Sequence, residues 1–215
     1  MIDLLYNHSS DVYSANGEDG INEYILKHLK LDSGVVLEIG AWDGFFDSNC
    51  ANLWSNGSYN GILIEATSKL NIADLESRYD NINCYRELIS SSNTLEDVIE
   101  KCKFDVDENN FVLASIDVDG DDLNVARSLG KYKPIILIVE PNGDVITRSN
   151  SNGSTIKELI DFGVDFGYDF MGMSGHVGRH SGNVYLIRND YKDKFDICSK
   201  PWQQRGIILS EGLLY

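Results

Sequence analysis

The sequence predicts a doubly wound α/β fold, in which a mostly parallel sheet carries helices on both faces. Short apolar runs alternate with segments of helical spacing along the whole chain, a pattern typical of this class. The last two apolar runs are joined by only about ten residues, too few for a crossover helix, so the last strand is expected to run antiparallel. With 215 residues and 42% hydrophobic content, the chain is expected to form one domain over 1–215.

The chain divides into an N-terminal helical segment at 1–32, a core at 35–190 and a tail at 191–215. In the first segment, apolar residues recur at helical spacing from Ile21 to Leu29. Asn16 is predicted to be the N-cap of this helix, because its side chain can accept a backbone hydrogen bond. Glu18 and Asp19 suit the first turn.

Seven apolar runs are predicted to form strands, at 35–39, 61–65, 81–86, 111–117, 134–140, 168–173 and 184–188. The segments between them are predicted to be helical through 49–54, near 68–79, and at 95–102, 121–129 and 154–166. The helix near 95 begins with Thr94 followed three residues later by Asp97, the spacing of a capping box.

Acidic residues close four of the predicted strands, namely Glu38, Glu65, Asp117 and Glu140. Parallel sheets of this kind bind ligands at the carboxyl ends of their strands, so these acids mark the expected binding edge. An acid at one strand end is often only the first polar residue after a core segment, but four together favour a site. The first strand runs into a glycine turn, and an acid after the second strand suits ribose hydroxyls.

The chain is strongly acidic, with a formal net charge of −16. That charge repels phosphate backbones and anionic lipids, so we expect neither nucleic acid nor a membrane surface as a partner. It suits a divalent cation, although such a charge more often means only a solvated surface. The four cysteines are scattered, and the N-terminus lacks the features of a signal peptide, so a reduced, cytoplasmic protein is expected.

Residues 38–44 (EIGAWDG) match the pattern E/D-x-G-x-x-x-G, and so resemble the first motif of class I S-adenosylmethionine-dependent methyltransferases. Residues 14–20 (SANGEDG), 43–49 and 116–122 (IDVDGDD) together resemble the FkbM-type branch of these enzymes. Ala15 stands where that branch usually has glutamine. The resemblance spans most of the chain and implies S-adenosylmethionine as cofactor and O-methylation of a sugar, a polyketide or a surface-polysaccharide component.

The resemblance also implies roles for individual residues around the cofactor. Glu38, Gly40, Ala41 and Gly44 would lie beside its methionine part, and Glu65 would hold the ribose hydroxyls. Further candidates are Glu87 and Leu88 at the adenine, Asp117 near the methyl group, and Glu18 reaching over the cofactor. A solvated loop explains Glu87 equally well, and helix capping explains Glu18 almost as well.

An alcohol keeps its proton at pH 7, so O-methylation needs a base or a metal ion. By resemblance to metal-dependent sugar O-methyltransferases, Asp117 and Glu140 are candidate ligands of Mg²⁺ or Mn²⁺, and Asp119 is a candidate base. Asn142 leaves the same strand as Glu140 and is a candidate for binding the acceptor. Asp121 and Asp122 are predicted to cap the next helix rather than to bind metal.

The loop between the last two strands contains His176, Arg179 and His180 among glycines. This cationic cluster suits a phosphate or carboxylate on the acceptor. His176 is an alternative metal ligand, and His180 an alternative base. A flexible hairpin whose polar residues face water explains the loop equally well.

Two other functions fit the same pattern. A nucleotide-sugar or dinucleotide-dependent enzyme would use Glu65 for its ribose, although 38–44 lacks the middle glycine of G-x-G-x-x-G. A catalytically silent methyltransferase-like binding subunit is the third hypothesis, and the intact acids argue against it. The part of the tail from Lys200 to Tyr215 is expected either to close over the pocket or to form a contact in a homo-oligomer.

Overall fold

The structure is a computed structural model, which describes residues 4–143, 146–147, 152–175 and 182–201. It confirms an α/β fold with one seven-stranded sheet. The strands are β1 (Gly34–Ile39), β2 (Tyr59–Ile64), β3 (Ile82–Tyr85), β4 (Phe111–Ile116), β5 (Ile136–Val139), β6 (Tyr168–Met173) and β7 (Val184–Arg188). All seven predicted strands exist, with ends shifted by two residues or fewer.

The strand order is β3-β2-β1-β4-β5-β7-β6. The pairs among β1 to β5 are parallel, whereas β7 lies antiparallel between β5 and β6. The predicted antiparallel last strand is therefore confirmed. Because β7 runs against its neighbours, β6 points the same way as β5, and the carboxyl ends of the six other strands meet at one edge.

The central strands are buried because helices cover both faces of the sheet. Every residue of β4 and of β5 is buried. Alternate residues of β1 supply two separate cores, with Leu37 and Ile39 in one and Val36 in the other. This accounts for the continuous apolar runs of the sequence, since a strand covered on both faces has no polar side.

The described part of the chain has six α-helices, of which the first precedes β1 and the other five connect strands: α1 (Glu18–Leu29), α2 (Ala51–Trp54), α3 (Ile72–Arg78), α4 (Leu95–Lys101), α5 (Asp122–Arg127) and α6 (Ile156–Phe166). The capping box predicted at Thr94 and Asp97 is confirmed, and Thr155 and Glu158 form a second one. Within the described residues, none of the helices has the length and apolar character required to span a membrane.

The predicted N-cap of α1 is wrong by one residue. Gly17, not Asn16, occupies that position, with φ 90°. A Cβ at Gly17 would lie 2.4 Å from the Cβ of Ser9, so the chain folds back on itself too closely for a side chain here. Glu18 and Asp19 lie in the first turn, as predicted.

Candidate functional site

The turn after β1 is packed directly against the loop after β4. Gly40 has φ 81°, and a Cβ there would lie only 1.7 Å from the carbonyl oxygen of Asp117. The backbone N–H groups of Gly40 and Ala41 both donate to the carbonyl of Ile64 at the end of β2. The glycine of the motif is therefore required by the neighbouring chain, and it joins the ends of three strands.

Glu38, in β1, holds the C-terminal end of the 40–49 turn. Its buried carboxylate accepts hydrogen bonds from Ser48 Oγ (2.6 Å) and from the backbone N–H of Asn49 (2.7 Å). Burial raises the pKa of Glu38 to about 7, and these hydrogen bonds only partly oppose the rise. Glu38 thus stabilises the 40–49 turn whatever else it binds.

Glu65, which directly follows β2, holds the N-terminal part of the same turn. One carboxylate oxygen accepts from the backbone N–H of Trp42 (3.1 Å), and the other accepts from the backbone N–H of Thr67 (2.7 Å). A carboxylate offers about four acceptor positions, so each oxygen retains capacity for a ribose hydroxyl. The side chain is oriented by the backbone before any ligand binds.

Three side chains at this edge sit on a left-handed backbone that non-glycine residues seldom adopt. They are Trp42 (φ 48°), Asp47 (φ 52°) and Asp119 (φ 56°). Such positions carry strain and are enriched at functional sites. Trp42 is also 42% exposed, with Lys69 Nζ 4.7 Å from the centre of its ring. Sequence reasoning gave Trp42 no role, and its one signal was a large aromatic inside a glycine turn.

The other predicted cofactor residues differ in how firmly they are held. Gly44 packs against Leu75 of α3. Glu87 accepts from Asn93 Nδ2 (2.9 Å) and pairs with Lys101 Nζ (3.6 Å), so it is anchored in the loop after β3. Leu88 beside it is 72% exposed and presents an apolar surface where adenine is expected.

Glu18 ties the N-terminal helix to the last two strands. It is buried and accepts from Ser174 Oγ (2.6 Å), Asn183 Nδ2 (2.9 Å) and the backbone N–H of Asn16 (2.9 Å). Burial raises the pKa of Glu18, opposed by these hydrogen bonds. Its bonds cross from the first helix to the carboxyl end of β6, so helix capping alone does not describe it.

A cluster of three carboxylates lies after β4 and β5. One oxygen each from Asp117, Asp122 and Glu140 lies within 4.8 Å of the others. Burial is the largest cause of a raised pKa at all three, and the negative charges of the neighbouring acids add to it. Carboxylates held this close repel one another unless they share a proton or a cation.

Asp122 is a member of this cluster that the sequence did not predict to bind metal. It was predicted to cap α5, but it is fully buried and accepts from the backbone N–H groups of Val118 (2.7 Å) and Gly120 (3.0 Å). Asp121 occupies the N-cap position and makes no capping hydrogen bond with its side chain. The loop folds back so that Asp122 faces Asp117, a proximity that local propensity does not encode.

Asn142 completes the arrangement, while Asp119 stands apart. The Asn142 amide donates to Glu140 Oε2 (2.8 Å) and Asp122 Oδ2 (3.2 Å). Hard oxygen donors of this kind fit Mg²⁺ or Mn²⁺, and turning the amide of Asn142 over would add a fourth oxygen. Asp119 is exposed on the same loop and is not a member of the cluster.

Three predicted site residues, His176, Arg179 and His180, lie outside the described residues, as does the tail after Pro201. The ends of their loop are described. Ser174 and Asn183 bond to each other and to Glu18, at the edge where the strand-end acids lie. The described ends of this segment therefore lie at the same edge of the sheet as the strand-end acids.

No protein-family profile matches the chain. No curated protein is detectably similar to it in sequence.

Solved structures do match the fold. Magnesium protoporphyrin IX methyltransferase from Synechocystis PCC 6803, solved with bound S-adenosylmethionine, aligns with a TM-score of 0.51 and 11% identity, over 80% of this chain and 77% of that one. The METTL16 methyltransferase domain aligns with a TM-score of 0.49 and 10% identity, over 78% of this chain and 65% of that one. Precorrin-6y C5,15-methyltransferase from Geobacter metallireducens aligns with a TM-score of 0.46 and 15% identity, over 83% of this chain and 90% of that one.

The chain therefore has the fold of the class I S-adenosylmethionine-dependent methyltransferases. At these identities the likeness concerns the fold alone, since one fold serves many acceptors and chemistries.

Proposed function

We propose that the protein is an S-adenosylmethionine-dependent O-methyltransferase of the FkbM type. Its acceptor is a sugar or a small phosphorylated carbohydrate, such as a precursor of a surface polysaccharide in the cytoplasm. One observation carries the proposal. The glycine turn with Glu38 and Glu65 and the carboxylate cluster with Asp117 occupy neighbouring strand ends of one sheet edge, joined at Gly40.

The half of the edge formed by β1 and β2 suits the cofactor. Glu65 is oriented by two backbone N–H groups and keeps acceptor capacity for ribose hydroxyls. The 40–44 turn places backbone at the carboxyl end of β1, where the cofactor is expected. Exposed Leu88 offers an apolar surface to its adenine ring. S-adenosylmethionine, when bound, supplies an electrophilic methyl group on a sulfonium.

The half formed by β4 and β5 suits the acceptor. An attacking hydroxyl must lose its proton, and Asp119 is exposed on the loop after β4, where it can accept one. Asp117, Asp122 and Glu140 would hold Mg²⁺ or Mn²⁺, a Lewis acid that makes a bound hydroxyl more acidic. Asn142 would orient an acceptor oxygen beside them.

The acceptor class rests on the resemblance to the FkbM-type enzymes and on the residues of the 176–181 loop. Arg179 and the two histidines of that loop supply positive charge to a protein whose net charge is −16, which favours an anionic group on the acceptor. A contact of the tail in a homo-oligomer remains part of this proposal.

The experiment begins with calorimetry of the purified chain against S-adenosylhomocysteine, 5′-methylthioadenosine and NAD⁺. We expect micromolar binding of S-adenosylhomocysteine and none of NAD⁺. Binding of NAD⁺ alone would favour the dinucleotide alternative, and no binding of any ligand at millimolar concentration would reject the proposal.

The acceptor is then sought by methyl transfer from radiolabelled cofactor to sugar phosphates and nucleotide sugars, with and without Mn²⁺. Mass spectrometry of the product identifies the methylated atom. Transfer to a hydroxyl supports the proposal, whereas transfer only to a carbon or nitrogen atom contradicts O-methylation. Turnover unaffected by prolonged chelation would reject the metal.

A further inference from the structure

The backbone on both sides of Asp119 is bonded to one buried carboxylate. Asp122, the first residue of α5, is fully buried, and its Oδ1 accepts from the backbone N–H of Val118 (2.7 Å). Its Oδ2 accepts from the backbone N–H of Gly120 (3.0 Å). Asp119 lies between these two residues and is exposed. One side chain therefore fixes the chain immediately before and immediately after the candidate base.

The conformation of this loop needs such support. Asp119 has φ 56° and Gly120 has φ 142°, so two successive residues lie at positive φ. A residue with a Cβ is strained in the left-handed region, and a loop without internal support relaxes towards the ordinary regions. Carboxylate oxygens are strong acceptors of backbone N–H groups, so the two bonds to Asp122 offset this strain.

The same carboxylate is anchored to the next strand end. The amide of Asn142 donates to Asp122 Oδ2 (3.2 Å) and to Glu140 Oε2 (2.8 Å). Glu140 directly follows β5, and its backbone N–H donates to the carbonyl of Ile116 in β4. The loop that carries Asp119 is thus fixed to the sheet through Asp122, and not only through its own neighbours in sequence.

We infer that Asp122 is a positioning residue for Asp119, because its two backbone hydrogen bonds hold the loop in the conformation that presents the candidate base. This inference rests on the proposed function, in which Asp119 accepts the proton of the attacking hydroxyl. A general base must lie within hydrogen-bond distance of that proton, and a displacement of about 1 Å can slow a reaction about a hundredfold. This role acts through residues 118–120, so it is separate from any contact of Asp122 with a metal ion.

A double-mutant cycle in the full chain tests the inference. Methyl transfer to the sugar phosphate or nucleotide sugar that the wild type methylates is measured for the wild type, Asp122→Asn, Asp119→Asn and the double variant, in excess Mn²⁺. Asp122→Asn keeps one acceptor oxygen and replaces the other by an NH₂ group, so one of the two backbone N–H groups loses its acceptor. Asp121→Asn, on the exposed neighbouring residue, is the matched control, and thermal unfolding of each variant reports on the fold.

We expect Asp122→Asn to lower kcat about ten- to a hundredfold and to leave KM for the acceptor within about twofold of the wild type. The reason is that a misplaced base slows the reaction without removing a substrate contact. In the Asp119→Asn background, the same change should lower kcat by no more than about twofold, since a positioning residue has no effect once the group that it positions is lost. Asp121→Asn should match the wild type.

A second measurement needs neither acceptor nor cofactor. Amide hydrogen exchange followed by NMR should show that the N–H groups of Val118 and Gly120 are protected in the wild type. One of them should exchange at least about tenfold faster in Asp122→Asn. If both amides of the wild type exchange as fast as those of an unprotected loop, the inference is wrong whether or not the protein is a methyltransferase.

The kinetic results separate the inference from the proposed function. Equal losses of kcat from Asp122→Asn in the two backgrounds would overturn the inference, because Asp122 would then act by itself, as a metal ligand does. An unchanged kcat in Asp122→Asn would overturn it as well. In both cases the wild type is active and the proposed function stands, whereas a wild type that neither binds S-adenosylhomocysteine nor transfers methyl groups rejects the proposed function and this inference with it.

Discussion

The two halves of the binding edge use the same residue types in opposite ways. After β1 and β2, the carboxylates of Glu38 and Glu65 are each satisfied by hydrogen bonds from the protein itself. After β4 and β5, the carboxylates of Asp117, Asp122 and Glu140 face one another. Acids of the first kind build a rigid turn, and acids of the second kind require a proton or a cation.

The difference shows that an acid at a strand end has no function by its position alone. Burial raises the pKa of Glu38 and of the cluster acids alike, but hydrogen bonds from the protein oppose the rise at Glu38, whereas neighbouring acids add to it at Asp117. Asp122 belongs to both kinds, since it accepts from two backbone N–H groups and also faces Asp117.

The largest effect is expected where the two halves touch. Gly40→Ala should lower the free energy of unfolding by at least about 3 kcal/mol, because its Cβ would lie 1.7 Å from the Asp117 carbonyl oxygen. Gly57→Ala is the control, since Gly57 has almost the same φ (82°) and no atom of the described residues lies within 4 Å of the added Cβ. It should lose only about 1–2 kcal/mol. Urea denaturation measures both, and equal losses would show that the contact between the halves is unimportant.

The second prediction tests whether burial outweighs hydrogen bonding at Glu38. The pKa of Glu38 is raised from 4.5 to about 7, so the folded protein holds this proton more tightly than the unfolded chain. Its contribution to stability is fully present below pH 4.5 and is lost as the pH rises to about 7. Relative to Glu38→Gln, the wild type should lose about 2–3 kcal/mol between pH 5 and 7.5.

The measurement is urea unfolding of both proteins at each pH. Ser48→Ala removes a hydrogen bond that lowers this pKa, so it should extend the loss to higher pH. Parallel pH profiles of wild type and Glu38→Gln would show that the turn keeps Glu38 charged throughout.

The third prediction concerns the carboxylate cluster. Without metal and above pH 8, Asp117→Asn should raise stability by about 1 kcal/mol, because burial and the neighbouring acids raise the pKa of Asp117 to about 8 and its charge is unfavourable there. Mn²⁺ at a hundred times its dissociation constant should stabilise the wild type by about 2.7 kcal/mol and leave the variant unaffected. Differential scanning fluorimetry with EDTA and with Mn²⁺ reads out both effects. Asp121→Asn, on the exposed neighbour, should keep the wild-type response, and a wild type indifferent to Mn²⁺ would refute the metal site.

The smallest effect on stability is expected at Asp119. Asp119→Gly relieves a left-handed backbone with φ 56° and should stabilise the protein by less than about 1 kcal/mol. Because Asp119 is the candidate base, the same substitution should slow methyl transfer about a hundredfold or more. Asp47→Gly relieves the same strain at φ 52° and should leave the rate unchanged. Unaltered turnover of Asp119→Gly would exclude Asp119 as the base.

Much of the fold was predictable because its signals are local. Apolar runs set the seven strands, a short connection set the direction of β7, and the spacing of Thr94 and Asp97 set a helix start. The insertion of β7 between β5 and β6 was not predicted, since strand order depends on packing between segments. The error at Asn16 has the same origin, because the contact with Ser9 decides the position of the cap.

The sequence by itself determined the fold class and the acids that close the strands, because apolar periodicity and the polar residue at a strand end depend only on residues close in sequence. Only the tertiary structure decided which acids meet. It brought Asp122 to Glu140 and joined Glu18 to Ser174 across 156 residues of chain. Among the described residues, it also left one oxygen of Asp19 buried without a hydrogen-bond partner. The physical reason is that the charge state and capacity of a carboxylate depend on neighbours distant in sequence, which the order of strands in the sheet selects.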